Sequence, residues 1–116
     1  MSKQAAFISQ FEFTPDNRAV VIALAGNLDP EAVEELHPQI EEVYRAGLRR
    51  FVFDLTKLEY AGSLGLRLLV GLRNQVSGAG AVCNPTDAVR RMLEMTKLNT
   101  LLPEHATRDA SLAATA

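Results

Sequence analysis

The stretch Leu58–Leu72, LEYAGSLGLRLLVGL, holds a single serine, Ser63, between Gly62 and Gly65. A small hydroxyl placed where an apolar run gives way to a helical pattern has three chemical uses. It can cap the helix, attack a substrate as a nucleophile, or carry a modification that another protein reads. The nucleophile reading has a definite pattern to match. Ala61-Gly62-Ser63-Leu64-Gly65 is one residue away from the G-x-S-x-G elbow, and Asp87 and His105 follow in the chain order such hydrolases use. Three features oppose it. The chain has 116 residues, whereas single-domain α/β enzymes run to about 200–250. Ala61 stands where a glycine would relieve the strain of the turn, and His105 lies in a polar tail segment close to a proline. No catalytic residue is assigned.

Other chemistries find less support. Gly62-Ser63-Leu64-Gly65 also fits G-x-x-G, as in RNA-binding loops, but no lysine or arginine falls inside it. The formal net charge of -2 argues further against a nucleic-acid partner. No G-x-x-x-x-G-K-[ST] phosphate loop is present, and the only cysteine, Cys83, lies in no metal-ligand cluster, so neither a cofactor nor a metal is expected. Cys83 ends an apolar run and reads as a small core residue. The N-terminal MSKQAAFISQFEF has no apolar signal core, and no run is long enough to cross a bilayer. Membrane insertion is not expected, and the chain reads as cytosolic.

The elements that must position Ser63 follow from periodicity. Phe7 to Phe13 alternate as a first strand; Thr14 to Arg18 form a turn; AVVIALAG from Ala19 is a nearly all-apolar second strand. Asp29 and Pro30 open a helix as N-cap and first residue, with Val33, Leu36, Ile40, Val43 and Tyr44 as its apolar stripe and Gly47 as its end. Pro38 inside it predicts a kink or a break. Phe51–Leu55 is a third strand covered on both faces, and a second helix runs from Ser63 to about Ser77, ended by SGAG. AVCN is a short fourth strand, Thr86 caps a third helix to about Thr96, LLPEHAT holds a last short strand, and Asp109 caps a terminal helix. At 47% apolar residues the chain can fill one core, so a single domain over 1–116 is expected: an α/β fold with a mixed sheet of four to five strands.

Within this frame Ser63 reads as the N-cap of the second helix, accepting from the N–H of residue 65 or 66. The same position suits a phosphate, since free N–H groups and the positive end of the helix dipole stabilise an anion there. Arg67 lies one turn on, in reach of such a group. A helical wheel centred on Leu72 turns Gly65, Leu68, Leu69 and Val76 inward and sets Leu66 and Val70 on the flank beside Ser63, as part of a docking patch.

Gly26-Asn27-Leu28-Asp29, the strand ending in Asp54-Leu55, Ser63-Leu64-Gly65-Leu66, and Val89-Arg90-Arg91-Met92-Leu93 followed by Leu98 occur in an order and spacing that resembles the STAS domain of bacterial anti-sigma factor antagonists. The resemblance spans about Phe7 to Ala114 and implies helices packed largely on one face of the sheet. It implies partner switching: the unphosphorylated domain binds an anti-sigma factor that is a serine kinase, a sigma factor is freed, the kinase phosphorylates the serine, and a serine phosphatase resets the cycle. Ser63 matches the phosphoacceptor and Asp29 the acidic residue of the neighbouring loop. The implied partner surface comprises Asn27, Asp29, Gly62, Ser63, Leu64, Leu66, Arg67 and Val70. Members of that family also work without phosphorylation, as docking subunits of lipid-transport ATPases or stress-sensing complexes. Three positions depart from the family pattern: Gly62 replaces an aspartate, Leu64 a small hydroxyl residue, and Lys97 a glycine.

Overall fold

A computed structural model of the chain describes residues 7–76 and 80–115. Its elements are β1 (Ile8–Phe13), β2 (Ala19–Leu28), α1 (Pro30–Arg45), β3 (Arg50–Ala61), α2 (Ser63–Gln75), β4 (Gly80–Cys83), α3 (Asp87–Met95), a 3-10 turn (Leu98–Thr100), β5 (Glu104–His105) and α4 (Arg108–Ala114). Ser77, where the sequence reading ended the second helix, lies outside the described residues, as do Gly78 and Ala79 of the expected SGAG break.

The five strands stand in chain order, β1 antiparallel to β2 and the others parallel. A short turn suffices for the antiparallel pair, whereas each parallel pair needs a crossover helix. Because every crossover is right-handed and the strands are laid down sequentially, α1, α2 and α3 fall on the same face. Alternation along the strands does the rest. Val20, Ile22 and Leu24 of β2 and Phe51, Phe53 and Leu55 of β3 bury themselves under these helices. The opposite parity, Val21, Val52 and Cys83, forms a smaller cluster under Leu112 of α4. Arg50 ties that helix down by donating to the carbonyls of Thr115 and Leu112 at 3.1 and 3.0 Å.

Two local expectations are corrected. The break expected at Pro38 does not occur, since α1 runs from Pro30 to Arg45 through it. Pro38 and Glu34 are both on the exposed side, so the carbonyl that loses its helical donor is left to water. The terminal helix is capped by Thr107, whose hydroxyl accepts from Ala110 N at 3.1 Å, and Asp109 sits in its first turn. Arg108, the first residue of this helix, pairs with Glu12 of β1 and Asp54 of β3.

Candidate functional site

The C-terminal ends of β2 and β3 and the start of α2 converge at one end of the sheet. The pairing of β2 with β3 slips twice, between Ala23 and Ala25 and between Gly26 and Asn27, each time giving β3 an extra residue. Such bulges re-aim the side chains beyond them. Leu58 and Ala61 stay buried while Tyr60, in register with Asn27, turns outward at 48% exposure. The hand-over to α2 is then pinned by Gly62, whose N–H donates to Leu28 O at 3.2 Å. Gly65 makes the approach possible. A Cβ there would stand 2.6 Å from Leu28 Cγ and 2.9 Å from Leu28 O.

Ser63 is the first helical residue, not the cap. Gly62 occupies the N-cap position, and no side-chain hydrogen bond caps the helix. The expected hydroxyl bond to residue 65 or 66 is absent. Ser63 is exposed, and the N–H groups of Ser63, Leu64 and Gly65 have no partner within the helix. Neither an acidic side chain in the first turn nor any cap competes for them. Gly62 itself has φ -76° and ψ 170°, a conformation any residue adopts, and a Cβ there would meet Tyr60 at an ordinary 3.8 Å. The backbone does not require glycine at that position.

The remaining site residues divide. Asn27 and Asp29 lie beside the helix start, partly buried, and Asp29 Oδ1 accepts from Ala32 N at 2.9 Å as the cap of α1. Leu64 is 52% exposed, and Arg67 is exposed one turn along. Leu66 and Val70 are not on an open flank: they are 0% and 8% exposed and belong to the core. α2 packs against α1 as well as against β3 and β4, so it buries more of its circumference than a single stripe. Tyr60 takes their place at the surface. The sequence reading missed it because the bulges that turn it out are set by strand pairing.

The hydrolase constellation is not assembled. Asp87 is paired with Arg90 at 3.2 Å in the first turn of α3. His105 stands in register with Cys83 on β5, and its Nε2 is buried without a hydrogen-bond partner among the described residues. Cys83 is buried, and desolvation together with the adjacent Asp54 carboxylate pushes its thiol up to about 11, far from a nucleophile at neutral pH. No group of three or more metal-ligating side chains is found among the described residues, nor is a helix there long and apolar enough to cross a membrane.

Comparison with known proteins agrees with this architecture. The family model described as "Mlab, STAS domain" matches residues 11–103. The anti-sigma F factor antagonist of Paenibacillus polymyxa is 30% identical over 98 residues, covering 81% of this chain and 84% of that protein. Among solved structures, an anti-sigma factor antagonist from Mycobacterium paratuberculosis superposes with a TM-score of 0.83 at 24% identity, covering 95% and 94% of the two chains. SpoIIAA in its unphosphorylated form gives a TM-score of 0.75 at 22% identity, over 89% and 92%. The Bacillus SpoIIAA in its phosphorylated form gives 0.70 at 21%, over 94% and 100%. A mixed five-stranded sheet with the helix start of α2 at its end defines a STAS domain, and this chain belongs to the STAS family. Within it, sequence and fold together put the chain among the anti-sigma factor antagonists.

Proposed function

We propose that the domain is a phosphorylation-controlled antagonist of an anti-sigma factor that is itself a serine kinase. The unmodified chain docks through Asn27, Asp29, Tyr60, Ser63, Leu64 and Arg67, with Leu66 and Val70 holding α2 in place from the buried side. Docking frees the sigma factor; phosphorylation of Ser63 separates the pair, and a serine phosphatase restores the docking form. The chain catalyses nothing itself and acts in the cytosol, as one domain over 1–116. The observation that carries this reading is the exposed Ser63 side chain at a helix start that uses no side-chain cap.

A phosphate there adds about -1.5 to -2 charges to a surface that also presents Tyr60 and Leu64. Desolvating it against a partner opposes binding, and a loss of about 3–4 kcal/mol weakens a complex roughly a hundred- to a thousandfold. The related Paenibacillus protein is an anti-sigma F factor antagonist, and SpoIIAA, which shares the fold, occurs in phosphorylated and unphosphorylated forms. Gly62 and Leu64 favour a second reading, in which the same surface docks without phosphorylation as a subunit of a lipid-transport ATPase or stress-sensing complex.

Binding to the cognate anti-sigma factor, measured by calorimetry, separates the two. Under the first reading Ser63→Ala binds like the wild type and Ser63→Asp binds far more weakly, and the kinase with ATP adds one phosphate by intact mass. No mass shift, with both variants binding alike, refutes the switch and leaves the docking reading.

A further inference from the structure

The two edges of the sheet are unlike. β5 has two residues, too few to template a further strand. β1 presents six, with no strand on its outer side among the described residues. Natural edges are usually blunted by lysine, proline, a bulge or a covering element. β1 contains neither lysine nor proline, and pairs with β2 from Ile8–Ala25 to Phe13–Val20 without a register shift. Its one charged side chain, Glu12, is already paired with Arg108. Ile8 and Phe13 are 54% and 50% exposed, and an open groove of about 350 Å³ runs beside the strand, lined by Phe11, Phe13, Gln39, Glu42, Val43 and Ala46.

The turn sets which backbone groups face outward. Thr14 donates its N–H to Ala19 O at 3.0 Å, so the even-numbered residues of β1 turn their backbone groups toward β2. Ser9, Phe11 and Phe13, with Phe7 just before the strand, therefore turn N–H and C=O to the open side. Phe7 and Phe11 also pack on the helix-covered face. A second copy laid antiparallel along this edge pairs odd residues with odd residues and keeps both helix-covered faces on the same side. In the register centred on Gln10, Phe7 faces the other copy's Phe13, Ser9 faces Phe11, and Gln10 faces Gln10. Ile8 faces Glu12 in the same register; every pair off the axis occurs twice and the Gln10 pair once, as a two-fold axis requires. The pairing makes about eight backbone hydrogen bonds, sets two Phe7–Phe13 aromatic pairs beside the groove, and lets the two Gln10 amides bond to each other.

We propose that β1 is a homodimerisation edge, joining two copies of this chain through an antiparallel β1–β1 pairing centred on Gln10. The occupant is a second copy because the strand's outward backbone parity matches itself and one register joins Phe7 to Phe13 twice and Gln10 to Gln10, with Ile8 beside a Glu12 that Arg108 already neutralises. Ser63 lies beyond β3 at the start of α2, so the pairing leaves the docking surface free.

Sedimentation of the full chain across the micromolar range is expected to show its 12.7 kDa monomer in equilibrium with a species of twice that mass. Ser9→Pro removes an outward N–H and leaves the β1–β2 bonds intact, so it is expected to weaken self-association at least about tenfold with unfolding unchanged. Phe13→Lys, which charges the edge, is expected to do the same and serves alone should the proline variant fail to fold. Gln10→Cys is expected to oxidise to a disulfide-linked dimer, since facing residues of a non-hydrogen-bonded pair suit that bond and Cys83 is buried. A wild-type chain that stays at 12.7 kDa throughout overturns the proposal, even if the edge accepts a strand from another protein. So does a dimer that survives both Ser9→Pro and Phe13→Lys.

Discussion

Adding one methyl group to α2 should have opposite consequences at its two described glycines. Replacing an interior helical glycine by alanine gains at most about 1 kcal/mol of helix propensity. At Gly71 that gain stands alone, because nothing lies within 4 Å of the added Cβ. At Gly65 the Cβ would stand 2.6 Å from Leu28 Cγ, 2.8 Å from Cδ2 and 2.9 Å from the Leu28 carbonyl oxygen. The side-chain atoms belong to a fully buried leucine, and the oxygen is backbone, so neither can move aside cheaply. Overpacking of this kind costs about 1–3 kcal/mol. Backing the helix away also stretches the 3.2 Å bond from Gly62 N to Leu28 O, worth about 1 kcal/mol. Gly65→Ala should therefore destabilise the domain by about 1–3 kcal/mol, and Gly71→Ala should stabilise it by about 0.5–1. Urea unfolding read by circular dichroism measures both against the wild type. In thermal scans the two variants should separate by on the order of 10–20 °C. If both shift in the same direction, or Gly65→Ala unfolds like the wild type, the close approach of α2 to Leu28 is not what fixes the helix start.

Four further variants have expected outcomes. Ser63→Ala should leave unfolding within about 0.5 kcal/mol of the wild type, since no cap bond is lost, whereas Thr86→Ala should cost about 1–2 kcal/mol: Thr86 caps α3 at Val89 N and donates to Leu58 O at 2.8 Å. Lys97 sits at φ +60°, a left-handed conformation that favours glycine, so Lys97→Gly should raise stability by about 0.5–1 kcal/mol in urea unfolding. Burial pushes the Asp54 carboxyl up, but hydrogen bonds from Thr56 and Arg108 outweigh it and hold the group below its usual range. A depressed carboxylate stabilises the fold above its unfolded-state pKa, and that share is lost as pH falls through the folded value. Asp54→Asn should therefore be less stable than the wild type by about 1–2 kcal/mol at neutral pH, with the gap closing below about pH 4.

What could be read along the chain was whatever is decided within a few residues. Asp29 caps α1 and Thr86 caps α3 as expected, each bonding an N–H three residues on. The apolar run of β3 announced a strand covered on both faces, and the alternation of later strands with helices announced the crossovers. What escaped was decided by partners far away in sequence. Leu66 and Val70 are buried because α1 lies against α2. Tyr60 is turned out by bulges that arise only when β3 pairs with β2. Arg108 of α4 reaches Glu12 and Asp54 across the second face, pairs that no local pattern announces. The role of Ser63 was misread for a subtler reason. A serine at N-cap and one at the next position leave nearly the same local pattern, and only the extended conformation of Gly62 separates them.

Among the described residues, three of the four α-helices begin on a side-chain oxygen: Asp29, Thr86 and Thr107. The fourth, α2, begins on a glycine that offers none. The Ser63 hydroxyl is consequently free of capping duty, and its removal is nearly invisible to the domain's own stability. A side-chain change at position 63 can therefore alter this surface without first requiring a repair of the fold.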